Sequence, residues 1–583
     1  MRTTGLGCMR LSNVDRAQAI ETIHAALDAG VRWLDTADVY GPTARDVGHN
    51  ERRVREALDT YGGDTSNVIV STKGGLTRTG ARWIPNGQKK HLEAACARSL
   101  ATLGHIDVYF LHVVDPKTPL ATSVRALERL RRDGHVKALG LSNVTVEQLE
   151  AALEIAPITY VQMELGVTSP QGFESGVPET CRRLGVHLVA SRPFGEVKGL
   201  KKIRRHEVLR TIADRHDVTP EAIALSWLYA LDDDLVALPG ATRPETGAAA
   251  ARIVALEDDD RDALDDAFPT GVQLSTPRAE RRPQDTDGDV VIVMGMPGAG
   301  KTTRAEAYAN DGYVRINRDE RGGTLAKLIP ELERHLAAGD RRIVLDNTYA
   351  TRATRNRVIE ASWRHGAPAR CDWVATSLED AQINAIQRMI QRHGRLLDDA
   401  EVRALKKSEP NTFLPRVQYR YREQLEAPRE DEGFAKVEVV PFERAPYGEG
   451  RAVFVDADAF LWGDGGVAID DAVADALTAW HRAGFAVFGL AWLPQLAATP
   501  DRVDAWERQV RERLGFELRA RWCPHPAGPV ACWCRPPLPG LVIAHALEAG
   551  VDLGRSRLLA TSAAYTTLAA RVGLTRVDVD DRP

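Results

Sequence analysis

The sequence predicts an α/β protein throughout: a (β/α)8 TIM barrel, then an α/β domain built on a phosphate-binding glycine loop, then a smaller α/β domain. Three observations carry this. Short β-like runs alternate with amphipathic helical runs about eight times over residues 1–275, as an eight-unit barrel requires. The stretch VVIVMGMPGAGKTTRA, Val290–Ala305, is a hydrophobic strand running into a glycine loop and then a helix. Further on, RAVFVDADAFLW places Asp456 and Asp458 just after another hydrophobic strand. A chain of 583 residues also exceeds what one core supports. The boundaries read as 1–275 for the barrel, 276–289 for a linker, 290–447 for the glycine-loop domain and 448–583 for the last domain.

Bulk composition excludes little. A formal net charge of -5 with 27% charged residues neither demands nor rules out nucleic acid, so local patches must carry that argument. Seven cysteines are too few for a disulfide scaffold, and three of them crowd between Cys523 and Cys534, the pattern of a metal site in a reducing compartment. No apolar run approaches the roughly 20 residues that span a bilayer, and MRTTGLGCMR begins directly in a strand-like run. The expectation is therefore a cytoplasmic protein with no signal peptide and no membrane span.

In the barrel the strand candidates are Val31–Leu34, Val68–Thr72, Val108–Leu111, Val136–Leu139, Ile158–Met163, Val186–Ala190 and Asp234–Leu238, with helices such as Arg16–Asp28, Leu92–Leu103 and Val146–Glu154 between them. Polar residues concentrate just after the strands, where such a barrel keeps its chemistry. Asp35, Tyr40, Lys73 and His112 stand out there. A carbonyl reduced by hydride needs a proton donor, and tyrosine titrates near 10, so it needs help. A lysine beside it, itself held by an aspartate, lowers the cost of the phenolate. Each residue alone has an ordinary reading: a capping Asp, a rim Tyr, a surface Lys, a core-edge His. Their joint placement at the ends of three successive strands favours a site.

These strings resemble the aldo-keto reductases over nearly the whole region: LDTADVYG with Asp35 and Tyr40, STKGG with Lys73, YFLH with His112, GLSN with Ser142 and Asn143, and YVQME with Gln162. The resemblance implies that Tyr40 donates the proton, Lys73 and Asp35 tune it, and His112 orients the carbonyl or shares the relay. It places Ser142, Asn143 and Gln162 on the nicotinamide carboxamide, with NADP(H), less often NAD(H), bound without a Rossmann domain. Where that family has Glu-Asn against adenine, LPGATRPETGAAAARI offers Ala249 and Ala250. Arg243 is left as a phosphate ligand or a surface cation, and Phe194 in SRPFG as a ring stacked on nicotinamide or a core residue. The basic run Lys198–His206 reads as a polyanion contact or as a solvated helix face.

PRAERRPQDTDGD, Pro277–Asp289, is polar and turn-rich and reads as a linker. Beyond it, Gly295, Gly300, Lys301 and Thr302 meet the pattern GxxxxGK[ST]; with Gly298 and Thr303 they make a loop whose N–H groups turn toward phosphate. Lys301 would reach the outer phosphates and Thr302 would hold Mg2+. YVRIN ends in Arg318 and Asp319, and RRIVLDNT holds Asp346. Acidic strand ends beside such a loop suit magnesium binding and activation of a hydroxyl. Arg352, Arg355, Arg357, Arg388, Arg392 and Arg395 supply cationic helices and a candidate lid over the phosphoryl group, each having a surface ion pair as its ordinary reading.

The strings GMPGAGKTT, NRDERGG, LDNTYATRATRNR and YRYREQLEAPREDEGFAKVEVVPF resemble the kinase domain of polynucleotide 5'-hydroxyl kinases. The resemblance implies ATP and Mg2+ at Lys301 and Thr302, Asp319 as general base on the acceptor hydroxyl, Asp346 near the metal or acceptor, and an arginine from Arg388 to Arg395 closing on the phosphates. A kinase for a small alcohol or nucleoside uses the same parts.

In the last domain, a strand ending in carboxylates on alternate residues suits a phosphatase in which Asp456 attacks phosphorus and Asp458 handles protons. RAVFVDADAFLW resembles the haloacid-dehalogenase-like (HAD-like) phosphatases, a Rossmannoid α/β fold. The rest is eroded: Ala491 and Trp492 stand where Thr or Ser is expected, Pro536 where a lysine is, and Thr561 and Tyr565 where acidic metal ligands are. The domain is therefore expected to be inactive. CPHPAGPVACWC keeps Cys523, His525, Cys532 and Cys534, a Cys3His set for structural Zn2+ that resembles the zinc loop of histidinol-phosphate and heptose-bisphosphate phosphatases; the bland reading is a cluster of buried thiols. Together the units read as a nucleic-acid end-processing enzyme acting on 5'-hydroxyl RNA or DNA ends and on a sugar aldehyde. A small-molecule kinase/reductase and a nucleic-acid-binding scaffold stay open, as does the oligomeric state.

Overall fold

A computed structural model describes residues 3–275, 281–283, 288–405, 408–460, 462–463, 466–467, 469–494, 500–528 and 532–583. The chain divides into two compact units, Met1–Arg282 and Pro283–Pro583. Most of the expected linker, 276–280 and 284–287, lies outside the described residues.

The first unit is an eight-stranded parallel sheet rolled on itself. Its strands are β1 (Gly5–Gly7), β2 (Trp33–Asp35), β3 (Ile69–Gly74), β6 (Val108–Leu111), β7 (Ala138–Ser142), β8 (Ile158–Glu164), β9 (His187–Ser191) and β10 (Val236–Leu238), paired in that order, with an antiparallel hairpin β4 (Leu76–Thr79) and β5 (Arg82–Pro85) between β3 and β6. The alternation of side chains explains the layers. Trp33, Val108, Phe110, Val189, Val236 and Leu238 fill the barrel interior. Their neighbours Leu34, Tyr109, Leu111 and Leu188 point outward onto the helices. The first and last strands meet where the Gly7 N–H donates to Pro239 O at 3.0 Å. A Cβ on Gly5 would lie 2.6 Å from Leu238 Cδ2, so only glycine allows that approach. Asp15 starts the helix Arg16–Asp28 by accepting from Gln18 N, and a Thr145–Gln148 capping box starts Val146–Leu153.

The second unit holds two five-stranded parallel sheets. One runs β12 (Val314–Asn317), β13 (Arg342–Asp346), β11 (Asp289–Met294), β14 (Ala369–Val374), β15 (Lys436–Val440). Its central strand β11 is buried along its whole length, which is why Val290–Met294 reads as an unbroken apolar run. The other, beyond a two-residue hairpin β17 (Trp462–Gly463) and β18 (Gly466–Val467), runs β20 (Arg519–Cys523), β19 (Ala486–Trp492), β16 (Ala452–Asp456), β21 (Arg557–Leu559), β22 (Thr575–Val577). Of the arginines expected to supply a lid, two are structural. Arg355 is fully buried, with Nη2 and Nε on Glu432 at 2.6 and 2.7 Å and Nη1 on Tyr349 O and Glu426 O; Arg352 is buried against Asp431. A guanidinium withdrawn from water must be paired in this way, which removes both from any lid. Among the described residues no helix is long and apolar enough to cross a membrane.

Candidate active sites

At the C-terminal rim of the barrel, Lys73 is 1% exposed and donates from Nζ to Asp35 Oδ2 at 2.6 Å and to Thr36 O at 2.8 Å. Asp35 Oδ1 accepts from Ser71 Oγ at 2.8 Å and from Gln162 Nε2 at 3.0 Å, so the carboxylate is fully occupied and fixed. Lys73 Nζ stands 5.0 Å from the centre of the Tyr40 ring. Burial raises the Tyr40 phenol, and Lys73 pulls it back down. Burial, then the Lys73 and Arg192 charges, hold His112 well below its usual value, so the imidazole is neutral. Its ring lies edge-on to Tyr40 with centroids 5.6 Å apart, and its Nδ1 is buried without a hydrogen-bond partner. The structure thus brings Asp35, Tyr40, Lys73 and His112 to one place: a protonated phenol backed by a buried cation, next to a neutral imidazole. Asn143, in the left-handed region at φ 56°, donates from Nδ2 to Ser142 Oγ and His112 O. Gln162 spends its amide on Asp35. Phe194 packs at the edge of the barrel core, while Arg243 is exposed at the start of a short helix. An orphaned imidazole nitrogen and a rim of amide and hydroxyl groups fit a nicotinamide cofactor.

Two parts of this site have no sequence signal in the strand pattern. The β4–β5 hairpin carries Trp83, 39% exposed, edge-on to both Tyr40 and His112, with the Arg78 guanidinium over its ring at 4.9 Å. Arg192, at φ 47° before Pro193, is close enough to act on both Tyr40 and His112. Its left-handed backbone at a strand end marks it in the structure, not in the sequence.

In the second unit the glycine loop follows β11. Gly295, Gly298 and Gly300 all have positive φ, and a Cβ on Gly298 would lie 2.4 Å from Ala381 O. Such a loop exposes successive N–H groups at the start of the helix Lys301–Asn310, a cradle that fits a nucleotide phosphate. Lys301 Nζ donates to Met296 O at 2.9 Å. Burial pushes Lys301 down to about 8; Asp346 and Asp319 raise it, while Arg388 and Arg318 lower it. Four of the charged groups around the loop therefore converge on one lysine. Asp346 ends β13, beside β11, and accepts from Arg315 and Asn317. Asp319 sits in the short helix after β12, partly exposed, with its backbone N–H on Asn317 Oδ1 and its carboxylate on Arg318 at 2.7 Å. Thr302 and Thr303 are exposed on the first turn of the loop helix. Among Arg388, Arg392 and Arg395, the charge of Arg388 acts on Lys301. Arg392 is paired with Glu409 and Arg395 with Glu401, both at exposed positions.

Beyond β16, Asp456 is buried with Oδ1 unpartnered, and burial with the Asp458 carboxylate pushes it up to about 8. Tyr565 Oη donates to Asp458 Oδ1 at 3.2 Å and to Leu490 O at 3.1 Å, filling the position beside the two carboxylates. From pH 3.8 to about 8 the folded chain keeps a proton on Asp456 that the unfolded chain releases, so stability falls as pH rises through that window. Asp456→Asn, isosteric with the protonated acid, is expected to raise the unfolding midpoint at pH 8 and flatten its pH dependence; thermal denaturation of both proteins at pH 5 and 8 checks this.

Cys523, His525, Cys532 and Cys534 place four donor atoms within 4.8 Å of one another. Cys523 Sγ is 3.8 Å from Cys532 Sγ and 3.5 Å from His525 Nδ1, and Cys534 Sγ is 3.2 Å from the same nitrogen. A tetrahedron with bonds of about 2.3 Å has edges of about 3.8 Å, so this set fits Zn2+.

Residues 3–268 match the aldo/keto reductase family and residues 290–409 an AAA domain family. The N-terminal unit is an aldo/keto reductase domain, of a family that uses NADP(H), and it is joined to a P-loop domain compatible with a kinase. Among solved structures, the chain is 24% identical to a glycerol dehydrogenase of Gluconobacter oxydans, covering 47% of this chain and 93% of that one at a TM-score of 0.40. It is 27% identical to an aldo-keto reductase from a Medee basin deep-sea metagenome library (46% and 92%, TM-score 0.39) and 23% identical to an aldose reductase of Giardia lamblia (46% and 91%, TM-score 0.38).

Proposed function

We propose that this chain phosphorylates the 5'-hydroxyl end of RNA or DNA with ATP and reduces a carbonyl, of which a sugar aldehyde at a damaged end is the matching substrate. The observation that carries the kinase reading is the glycine loop itself: Gly295, Gly298 and Gly300 at positive φ lead into the helix Lys301–Asn310, and Asp346 ends the adjacent strand β13. An acceptor hydroxyl beside the outer phosphate needs a base, and Asp319 supplies it from a partly exposed helix start. Arg388 and Lys301 neutralise the charge that builds on the transferring group, and Thr302 and Asp346 would hold magnesium. A polynucleotide acceptor is favoured by the helix Arg416–Gln424. Its Gln418 donates to Pro297 O of the loop while Arg416, Arg420 and Arg422 stand exposed, offering phosphates a cationic path.

In the reductase site NADP(H), when bound, supplies hydride; Tyr40 gives the proton to the carbonyl oxygen and His112 orients it. The C-terminal region is a HAD-like domain without phosphatase turnover. Tyr565 occupies the space where a metal-binding carboxylate is needed, and Asp456 is kept protonated at neutral pH, which removes its nucleophile. Its Cys3His set holds a structural zinc.

The test is transfer of labelled γ-phosphate from ATP to matched 5'-hydroxyl RNA, 5'-hydroxyl DNA and free nucleosides. Oligonucleotide acceptors should exceed nucleosides by at least about a hundredfold in kcat/KM, because extra phosphate contacts add binding energy. Nucleosides or a small sugar alcohol turning over faster than any oligonucleotide would replace this reading with that of a metabolic kinase.

A further inference from the structure

The helix Leu378–His393 has two buried faces with different owners. Ala381, Asn384 and Arg388, at helical spacings of three and four, face the glycine loop. Ala381 packs in one core with Met296 and Ala299, Asn384 Nδ2 donates to Gly298 O at 2.8 Å, and the Arg388 charge reaches Lys301. Ile383, Ile386 and Met389 belong instead to a core built mainly from the C-terminal region, with Trp533, Leu541, Val542 and Leu568. The anchor is Trp533, held between Cys532 and Cys534. It is 1% exposed, and its Nε1 donates to Phe413 O at 2.9 Å. Gly540 has no room for a Cβ, which would lie 2.5 Å from Trp533 O and 2.9 Å from Leu396 Cδ1. Arg571 adds a bond to Gln382 Oε1 at 3.5 Å.

We propose that Trp533 is a positioning residue for the phosphate site, and that the C-terminal region serves as the fixed wall against which this helix is set. The idea rests on the reading that the glycine loop binds a nucleotide. A helix turns 100° per residue, so any slip that vacates the Trp533 core also swings Asn384 away from Gly298 and Arg388 away from Lys301. The Cys523, His525, Cys532 and Cys534 set, two of whose members flank Trp533, holds the anchor in place.

The experiment uses the full chain as wild type, Trp533→Ala, Trp533→Phe and Cys534→Ser. MgATP affinity is measured by calorimetry, bound zinc by elemental analysis, and NADPH-dependent aldehyde reduction serves as a control on the same preparations. Trp533→Ala is expected to weaken MgATP binding by about tenfold, a size typical of coupling carried through packing. Trp533→Phe should recover most of that loss, Cys534→Ser should lose zinc and match Trp533→Ala, and reductase rates should be unchanged. Wild-type protein that fails to bind MgATP would remove the nucleotide reading itself and this proposal with it. Wild-type binding with equal affinity in Trp533→Ala would overturn the proposal alone. Amide exchange of the wild type covers the case in which the alanine variant does not fold. MgATP should slow exchange in 378–393 and in the segment around Trp533 together, and protection confined to the glycine loop would overturn the proposal.

Discussion

Tyr40→Phe is expected to lower NADPH-dependent reduction of a reactive aldehyde such as 4-nitrobenzaldehyde by about 10³-fold in kcat, the scale of a lost general acid. The substitution removes one hydroxyl. The ring keeps its edge-on contacts with His112 and Trp83, and Lys73 keeps its bonds to Asp35 and Thr36, so folding and KM should change little. The pH profile separates this role from a packing role. Burial raises the phenol and Lys73 restrains the rise, so Tyr40 is protonated at neutral pH. Reduction needs that proton and should fall as pH rises through the phenol's own titration; alcohol oxidation needs the phenolate and should rise. Loss of kcat in the variant with the wild-type pH limb intact would assign the proton to another group.

Much of this candidate site was legible because Asp35, Lys73 and His112 fall at or just past strand ends, with Tyr40 in the loop after the first, and strand ends are visible where apolar alternation stops. The strand bounds shift by up to three residues from expectation, as with Val136–Leu139 against the observed Ala138–Ser142. Trp83 and Arg192 were not legible. A hairpin between two barrel strands carries no barrel periodicity, and an arginine before proline gives no sign that its backbone will turn left-handed over the site. In the middle region the glycine loop announces itself by spacing, but burial of long cations does not. Arg355 and Arg388 look alike in sequence, yet one is locked to Glu432 and the other acts on Lys301 through its charge. The shared core of the helix Leu378–His393 was equally hidden, since a helix buried on two sides by two sheets reads like any amphipathic helix. The Cys3His set was readable because its four donors lie within twelve residues of sequence.

Asp319→Asn should cut phosphoryl transfer to a 5'-hydroxyl oligonucleotide by about 10²- to 10⁴-fold in kcat while leaving MgATP affinity near wild type. The carboxylate stands in the short helix that follows β12, bonded to Arg318, and it acts on Lys301 through its charge with no hydrogen bond to it, so on the proposed reading its loss should spare nucleotide binding. Lys301→Ala should instead lose MgATP binding as well as turnover. The two variants therefore divide the site: one removes proton acceptance, the other phosphate binding. A proton measurement strengthens the division. Lys301 sits at about 8 in the nucleotide-free chain, lowered chiefly by burial, and a polyphosphate beside it raises it again. At pH 8.5 the wild type should thus take up a proton on binding MgATP, seen as a dependence of the calorimetric enthalpy on buffer ionisation, and affinity should fall as pH climbs above 8. Asp319→Asn removes a charge that favours the protonated lysine, so its uptake should begin at slightly lower pH, whereas Lys301→Ala should show none. Equal loss of binding in both variants would mean that Asp319 holds the nucleotide, and the base would have to be sought elsewhere.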